Sequence, residues 1–561
     1  MKRKQITALL LVGAVLMTTL SGCSKGASSK GGNAAKDNGG VKEFTYFIAV
    51  PGNEINDDNE IQQKIAEITG VKVKETWLTG QTAKEAVGTL IAGGDYPDFI
   101  CGSEGTSQLY EAGALVALDD YIDKYPNIKN FFTKTEWESL RQADGHIYWI
   151  PQFNNSYGKE METTHNDEAF WIQTRVLKWA GYPKITTMDQ YFDLIERYQE
   201  ANPTMPNGTK NIPYTILCDD WRYFCLENAP LFLDGYANDG SCIVDPETKK
   251  VIDYNTTPTA KIYFNKLNEE FKKGIVDPES FTQKYDEYIA KLSTGRVLGM
   301  IDQWWDFYGT VNDALKQQGL EDLGCNYVPL PITIKEGVKS RWHTSGDTVN
   351  VGSGISITKD CKDVEGAMKF IDDLLNQEII NLRNWGVKDV DYLVDKDGLF
   401  YRTPEIRMQV TNTAYKASHM CTYSYFPTYS GMSQDNLNAN KPEQQPNEFL
   451  SSLPKNVQEC LEAYNCKNYI DMVGRNEIPG PWYPIYTFVG TMTTATPGGT
   501  AWTKMREIKQ EYLPKVVMAP DFEEGWKEYM KVYESCNPKA FLDEVQPEVD
   551  RRIELAEKAA Q

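Results

Sequence analysis

Between Glu43 and Cys101 the hydrophobic pattern switches repeatedly between the period of a strand and that of a helix, and few architectures accept that alternation. Glu43–Val50 is a short β-rich run closed by Pro51-Gly52. Asp58 is placed to cap a helix whose Ile61, Ile65 and Ile68 share one face, and Gly70 ends it. Val71–Trp77 alternates as a strand. A second helix, with Val87, Leu90 and Ile91 on one side, stops at Gly93-Gly94, and Tyr96–Cys101 is a third strand. Such βαβ units build a largely parallel sheet. Its ligands bind beyond the carboxyl ends of the strands, here Pro51–Glu54 and Gly102–Glu104, which makes Asn53 and Glu104 candidates for a binding role.

The chain as a whole is too long for one core: 561 residues allow three or four domains or two large lobes. Helices are expected at Phe170–Trp179, Met188–Ala201, Thr259–Lys273 and Asp363–Asn376. Gly352–Thr358 reads as a strand returning to the first lobe, and the polar stretch Gln434–Asn447 as a surface loop. No GxGxxG, P-loop, GxSxG or HExxH motif occurs, so nucleotide, serine-hydrolase and zincin chemistries lack local support. A net charge of −21 repels phosphate backbones and excludes nucleic acid as a natural partner. The four histidines (His146, His165, His343, His419) lie far apart in sequence, which speaks against a histidine metal site. No metal and no cofactor is expected. Ten cysteines besides Cys23 show no metal-type spacing. Cys218 with Cys225 and Cys460 with Cys466 are the nearest pairs, but small buried hydrophobes is the favoured reading.

Lys2-Arg3-Lys4, the apolar run Ile6–Leu20 and Ser21-Gly22-Cys23 form a secretory signal too short to span a bilayer. Leu20–Cys23 resembles a bacterial lipobox. Residues 1–22 are then a signal peptide, Cys23 carries the lipid, and residues 23–42 are a flexible tether. The expected location is the outer face of the cytoplasmic membrane.

Further segments resemble a known family. Gly93–Asp98 (GGDYPD) looks like a "GDxPD" signature, Gly113-Ala-Leu115…Leu118-Asp119 like "GxLxxLD", and Asp144–Pro151 (DGHIYWIP) like "DGKxYxxP". Gly274–Glu279 and Trp385-Gly386…Asp391-Tyr392 add to the likeness. Together with the lipobox they resemble extracellular solute-binding protein family 1, in its long lipoprotein branch serving carbohydrate ABC transporters. The resemblance implies a helix-rich α/β clamp of the type II periplasmic-binding-protein kind, with its ligand cleft between two lobes. It also implies a monomer that captures a carbohydrate without turning it over and docks on ABC permease subunits. The expected divisions are 43–152 (first lobe), 153–340 (second lobe), 341–395 (return to the first) and 396–561 (mainly the second lobe and C-terminal helices). Relatives often carry an acidic calcium loop where this chain has Ala201–Asn211. That stretch contains no carboxylate, so no calcium is expected there.

A sugar site needs aromatic plates beside carboxylates or amides. Asp219–Tyr223 and Asp302–Asp306 both follow apolar strands and supply both kinds, and Pro481-Trp482-Tyr483 sits in a Gly/Pro-rich turn. As strand neighbours, Trp304 and Trp305 would face opposite ways, one packing and one free. Trp221, Trp385 and Trp482 are further candidate plates, with Asp302 and Asp220 as hydroxyl acceptors. An oligosaccharide carrier is the leading reading. A peptide or other polar solute on the same fold, and a glycosidase using acids such as Asp302 and Asp306, remain open beside it.

Overall fold

A computed structural model describes residues 40–559 apart from 154–160, 162 and 346–348. The signal peptide, Cys23 and most of the tether lie outside the described residues. Among the described residues no helix is long and apolar enough to cross a membrane.

The first sheet follows from the alternation at its start. Strand Lys42–Ile48 lies between Val71–Trp77 and Phe99–Cys101, parallel to both, and Ile355–Ile357 adds antiparallel to Phe99–Cys101. Phe44, Tyr46 and Ile48 point inward at period two and meet Phe99, Ile357, Phe370 and Ile371 in one core. The helix Glu60–Thr69 is capped by Asn59, whose side chain accepts from the Gln62 N–H at 3.0 Å; Asp58 lies one residue too early. Gly70, at φ 71°, ends it as expected, while Ile68 is turned out to solvent.

The second sheet is mixed, in the order Ile212–Thr215, Val297–Gln303, Glu168–Gln173, Tyr327–Leu330. The expected helix Phe170–Trp179 is therefore half strand: Glu168–Gln173 is buried on both faces, and only Thr174–Trp179 is helical. The short apolar run Phe170–Ile172 carries no period to separate the two states. The helices Pro497–Val517, Phe522–Ser535 and Pro538–Ala559 close over this lobe. Tyr223 donates to the Lys509 carbonyl at 2.8 Å, and Asn268 to that of Val517 at 2.8 Å.

The two cores are separate, and each draws on distant stretches of chain. The first takes residues 44–150, 355–380 and also Cys421–Tyr429; the second takes 169–342 and 449–549. The chain thus crosses between lobes three times, and its final passage comes after Tyr429 rather than near residue 395. The crossings touch: Thr163 Oγ1 donates to the Glu443 carbonyl, and the rings of His165 and His343 meet edge to face. The expected surface loop Gln434–Asn447 is partly interior. Asn438, Asn440 and Gln445 are buried because their amides satisfy neighbouring backbone groups.

Candidate functional site

On the second lobe the strand Val297–Gln303 runs out and the helix Trp304–Gln317 begins at once. Phe307, Val311 and Leu315 fall on its buried face, which decides where the two tryptophans go. They are helix neighbours, not strand neighbours. Trp304 turns back to stack on Tyr308 at 4.8 Å, while Trp305 is 47% exposed. Trp305 lies nearly parallel to Trp221, centroids 5.7 Å apart and planes 15° off, with Phe224 tilted against both. Behind this plate Asp306 accepts from Arg222 Nε through both oxygens (2.8 and 3.0 Å), and the guanidinium lies over Trp221 and Tyr285. A fork held this way fixes the ring it covers.

The first lobe supplies a facing wall. Trp77 ends its strand and meets Tyr425 edge-on at 5.4 Å, and Tyr425 meets the exposed Phe153 at 5.2 Å. Trp77 can lie where it does because residue 52 is glycine: a Cβ there would stand 2.0 Å from its ring. Tyr425 is positioned by Arg383, a fully buried guanidinium that donates to the carbonyls of Leu374, Thr422, Tyr423, Phe426 and Pro427. Charge reaches from one wall to the other: burial raises the Tyr425 hydroxyl and Arg222 opposes this, while Glu104 adds to the desolvation that raises Asp220. Asp220 is open to solvent, yet the protein around it raises its carboxyl above the ordinary range by desolvation, and Glu104 and Asp219 add to this. Asp220 and Ser103 both adopt left-handed backbone, at φ 51° and 49°. Strain of this kind gathers where a loop is shaped for a ligand.

The structure thus brings together Trp221, Trp305, Asp220 and Glu104. Asn53 is exposed on the loop beside Gly52. Others are placed elsewhere. Asp302 is fully buried and accepts from Tyr288, Cys225 and its neighbour's N–H; desolvation, then the charge of Asp306, raises its carboxyl far above normal. It supports the wall from behind instead of meeting a hydroxyl. With Asp306 held by Arg222, this pair is not arranged as an acid and a base around a cleft. Trp385 is fully buried, donating to the Ala439 carbonyl at 2.9 Å. Trp482 is 3% exposed with Lys249 Nζ 4.6 Å over its ring. It lines a separate cavity of about 810 Å³, with Arg341 and Lys339, that shares no residue with the aromatic walls. Trp77, Phe153, Tyr425 and Arg222 were not singled out from sequence. Arg222 lies inside the cluster Asp219–Tyr223 and Trp77 at a strand end, but Phe153 and Tyr425 carry no local signal.

The loop at 201–211 is organised around a cation of its own: Arg175 donates to Asn211 Oδ1 at 3.1 Å and to Met205 sulfur at 2.9 Å. Among the described residues, all ten cysteines stand as free thiols.

This geometry agrees with what the chain is similar to. The fructooligosaccharide ABC transporter substrate-binding protein FusA of Streptococcus pneumoniae is 28% identical over 268 residues, 45% of this chain and 48% of that protein. The match thus spans about half the length of that relative. The lipoprotein LipO of Bacillus subtilis is 22% identical over 398 residues, 68% of this chain and 72% of its own length. The solved structure of S. pneumoniae FusA in complex with kestose superposes with a TM-score of 0.61 at 18% identity, covering 91% of this chain and 99% of that one. The model of the bacterial extracellular solute-binding protein family matches residues 60–386, more than half of the sequence, and the chain belongs to that family.

Proposed function

We propose that this protein captures a neutral oligosaccharide between its lobes and hands it to an ABC transporter permease without chemical turnover. The observation that carries the reading is the pair of facing aromatic walls, Trp221–Trp305 and Trp77–Tyr425, with Asp220 and Glu104 at the rim. Flat faces suit the CH surfaces of pyranose and furanose rings, and the carboxylates suit their hydroxyls. The acidic rim and the net charge of −21 disfavour a polyanionic glycan. FusA's standing as a fructooligosaccharide-binding transport protein and its complex with kestose support the sugar assignment. Lipidation of Cys23 would hold a monomeric body at the outer face of the cytoplasmic membrane, beside its permease, and LipO's name as a lipoprotein supports that anchoring.

The test is a thermal-shift and calorimetric screen against fructo-oligosaccharides, other neutral glycans, alginate fragments and short peptides. A ligand at a hundred times its Kd adds about 2.7 kcal/mol, so a neutral glycan series whose shift grows with chain length is expected. Trp305→Ala and Trp221→Ala should each weaken binding tenfold or more and leave the unliganded Tm within about 3 °C. Shifts with peptides alone would sink the sugar assignment, as would wild-type affinity in the double variant.

A further inference from the structure

Two of the four histidines meet at a single point, although 178 residues separate them. His165 belongs to the first crossing between lobes and His343 to the second. Their Nδ1 atoms are 3.2 Å apart, and Asp167 Oδ2 lies 3.5 Å from His343 Nδ1. All three ligand atoms fall within 4.8 Å of one another. Bonds of about 2.0–2.2 Å from a tetrahedral ion to nitrogen and oxygen put adjacent ligand atoms about 3.3–3.6 Å apart. The separations of 3.2 and 3.5 Å lie close to and within that edge length.

The protonation pattern agrees. His165 Nε2 lies 2.9 Å from the Glu168 carbonyl, which can only accept, so that nitrogen carries the proton and Nδ1 presents its lone pair toward His343 and Asp167. Donation of the distant ring N–H to a backbone carbonyl is how metal-binding imidazoles are usually oriented. The surroundings are rigid. The His165 ring lies against Trp171 with centroids 6.1 Å apart, the His343 carbonyl accepts from Asn476 Nδ2 at 3.1 Å, and the Asp167 carbonyl accepts from the Trp304 N–H at 3.1 Å. Both imidazoles are buried, at 0% and 5% exposure, while the Asp167 side chain is 45% exposed.

We propose that His165, Asp167 and His343 form a binding site for a divalent transition-metal ion of the zinc class, placed where two of the lobe crossings meet. Two imidazoles and one carboxylate suit zinc, cobalt, nickel or copper better than calcium or magnesium, which prefer all-oxygen shells. This departs from the expectation drawn from sequence spacing, because the tertiary fold alone creates the cluster. It is also independent of which solute the cleft takes.

The test titrates the metal-free full-length protein with Zn²⁺ by calorimetry and with Co²⁺ by visible absorption. One ion per chain is expected, with cobalt bands of four-coordinate intensity. Asp167→Asn keeps size and is half exposed, so it should fold normally and weaken zinc binding tenfold or more. His343→Gln should do the same and abolish the cobalt bands. Absence of saturable zinc binding would overturn the site and leave a simple hydrogen bond between the two rings. Unchanged zinc affinity in Asp167→Asn and His343→Gln would overturn it equally, placing the ion on surface carboxylates.

Discussion

Glu75 shows how far a single buried carboxylate bears on stability. It points inward from the strand Val71–Trp77, 6% exposed, and desolvation raises its pKa to about 7 against the lowering pull of Arg383. The folded state therefore holds a proton that the unfolded state releases above its ordinary pKa. The resulting stability is complete below about pH 4.5 and is lost as pH rises through 7. The shift corresponds to about 3 kcal/mol. Glu75→Gln should melt like the parent at pH 4.5 and clearly above it at pH 8; parallel melting curves across that range would refute this. Gly52→Ala should push the Trp77 ring aside and weaken glycan binding several-fold by calorimetry, with a far smaller change in Tm. At this scale the sequence was legible where acids flank aromatics, as at Trp221 and Trp305. It was silent for Tyr425 and Phe153, whose place depends on packing partners hundreds of residues away.

Among the elements, the turn-rich stretch Cys421–Tyr429 is held by Arg383, whose pKa burial lowers to about 10, and by Tyr46, which donates to the Tyr425 carbonyl at 2.9 Å. Arg383→Met would leave four buried carbonyls and one part-buried carbonyl without their donor, so a loss of about 3 kcal/mol or more in urea melts is expected. Hydrogen exchange should quicken in residues 421–429 before it does elsewhere. The loop at 201–211 should ignore calcium: millimolar Ca²⁺ is expected to leave the Tm unchanged, and a rise abolished by Asn211→Ala would contradict this. The helices Met188–Ala201 and Pro258–Lys272 were readable because long amphipathic periods are unambiguous. Trp304-Trp305 was misread because the chain passes from strand to helix without a turn residue to mark the change.

For the whole molecule, closure is the motion to measure. Glycan binding should shrink the radius of gyration in X-ray scattering, and an unchanged profile at saturation would argue for a rigid cleft. Lys416 Nζ reaches Asp313 at 3.0 Å between the lobes, but an exposed pair contributes below about 1 kcal/mol. Lys416→Ala should accordingly change glycan affinity by less than about fivefold. The first sheet and the return strand were legible from local period. The third crossing was not, because nothing between residues 395 and 430 announces which core its side chains will join.

Three crossings that touch through His165–His343 and Thr163–Glu443 differ mechanically from a single thread. One strand of chain lets two bodies swivel; three laid side by side resist torsion and leave bending as the soft direction. Under the function proposed above, closure would bring the aromatic walls together along one arc and in one registration, and the crossings would set steric discrimination between stereoisomeric sugars before either wall meets the ligand.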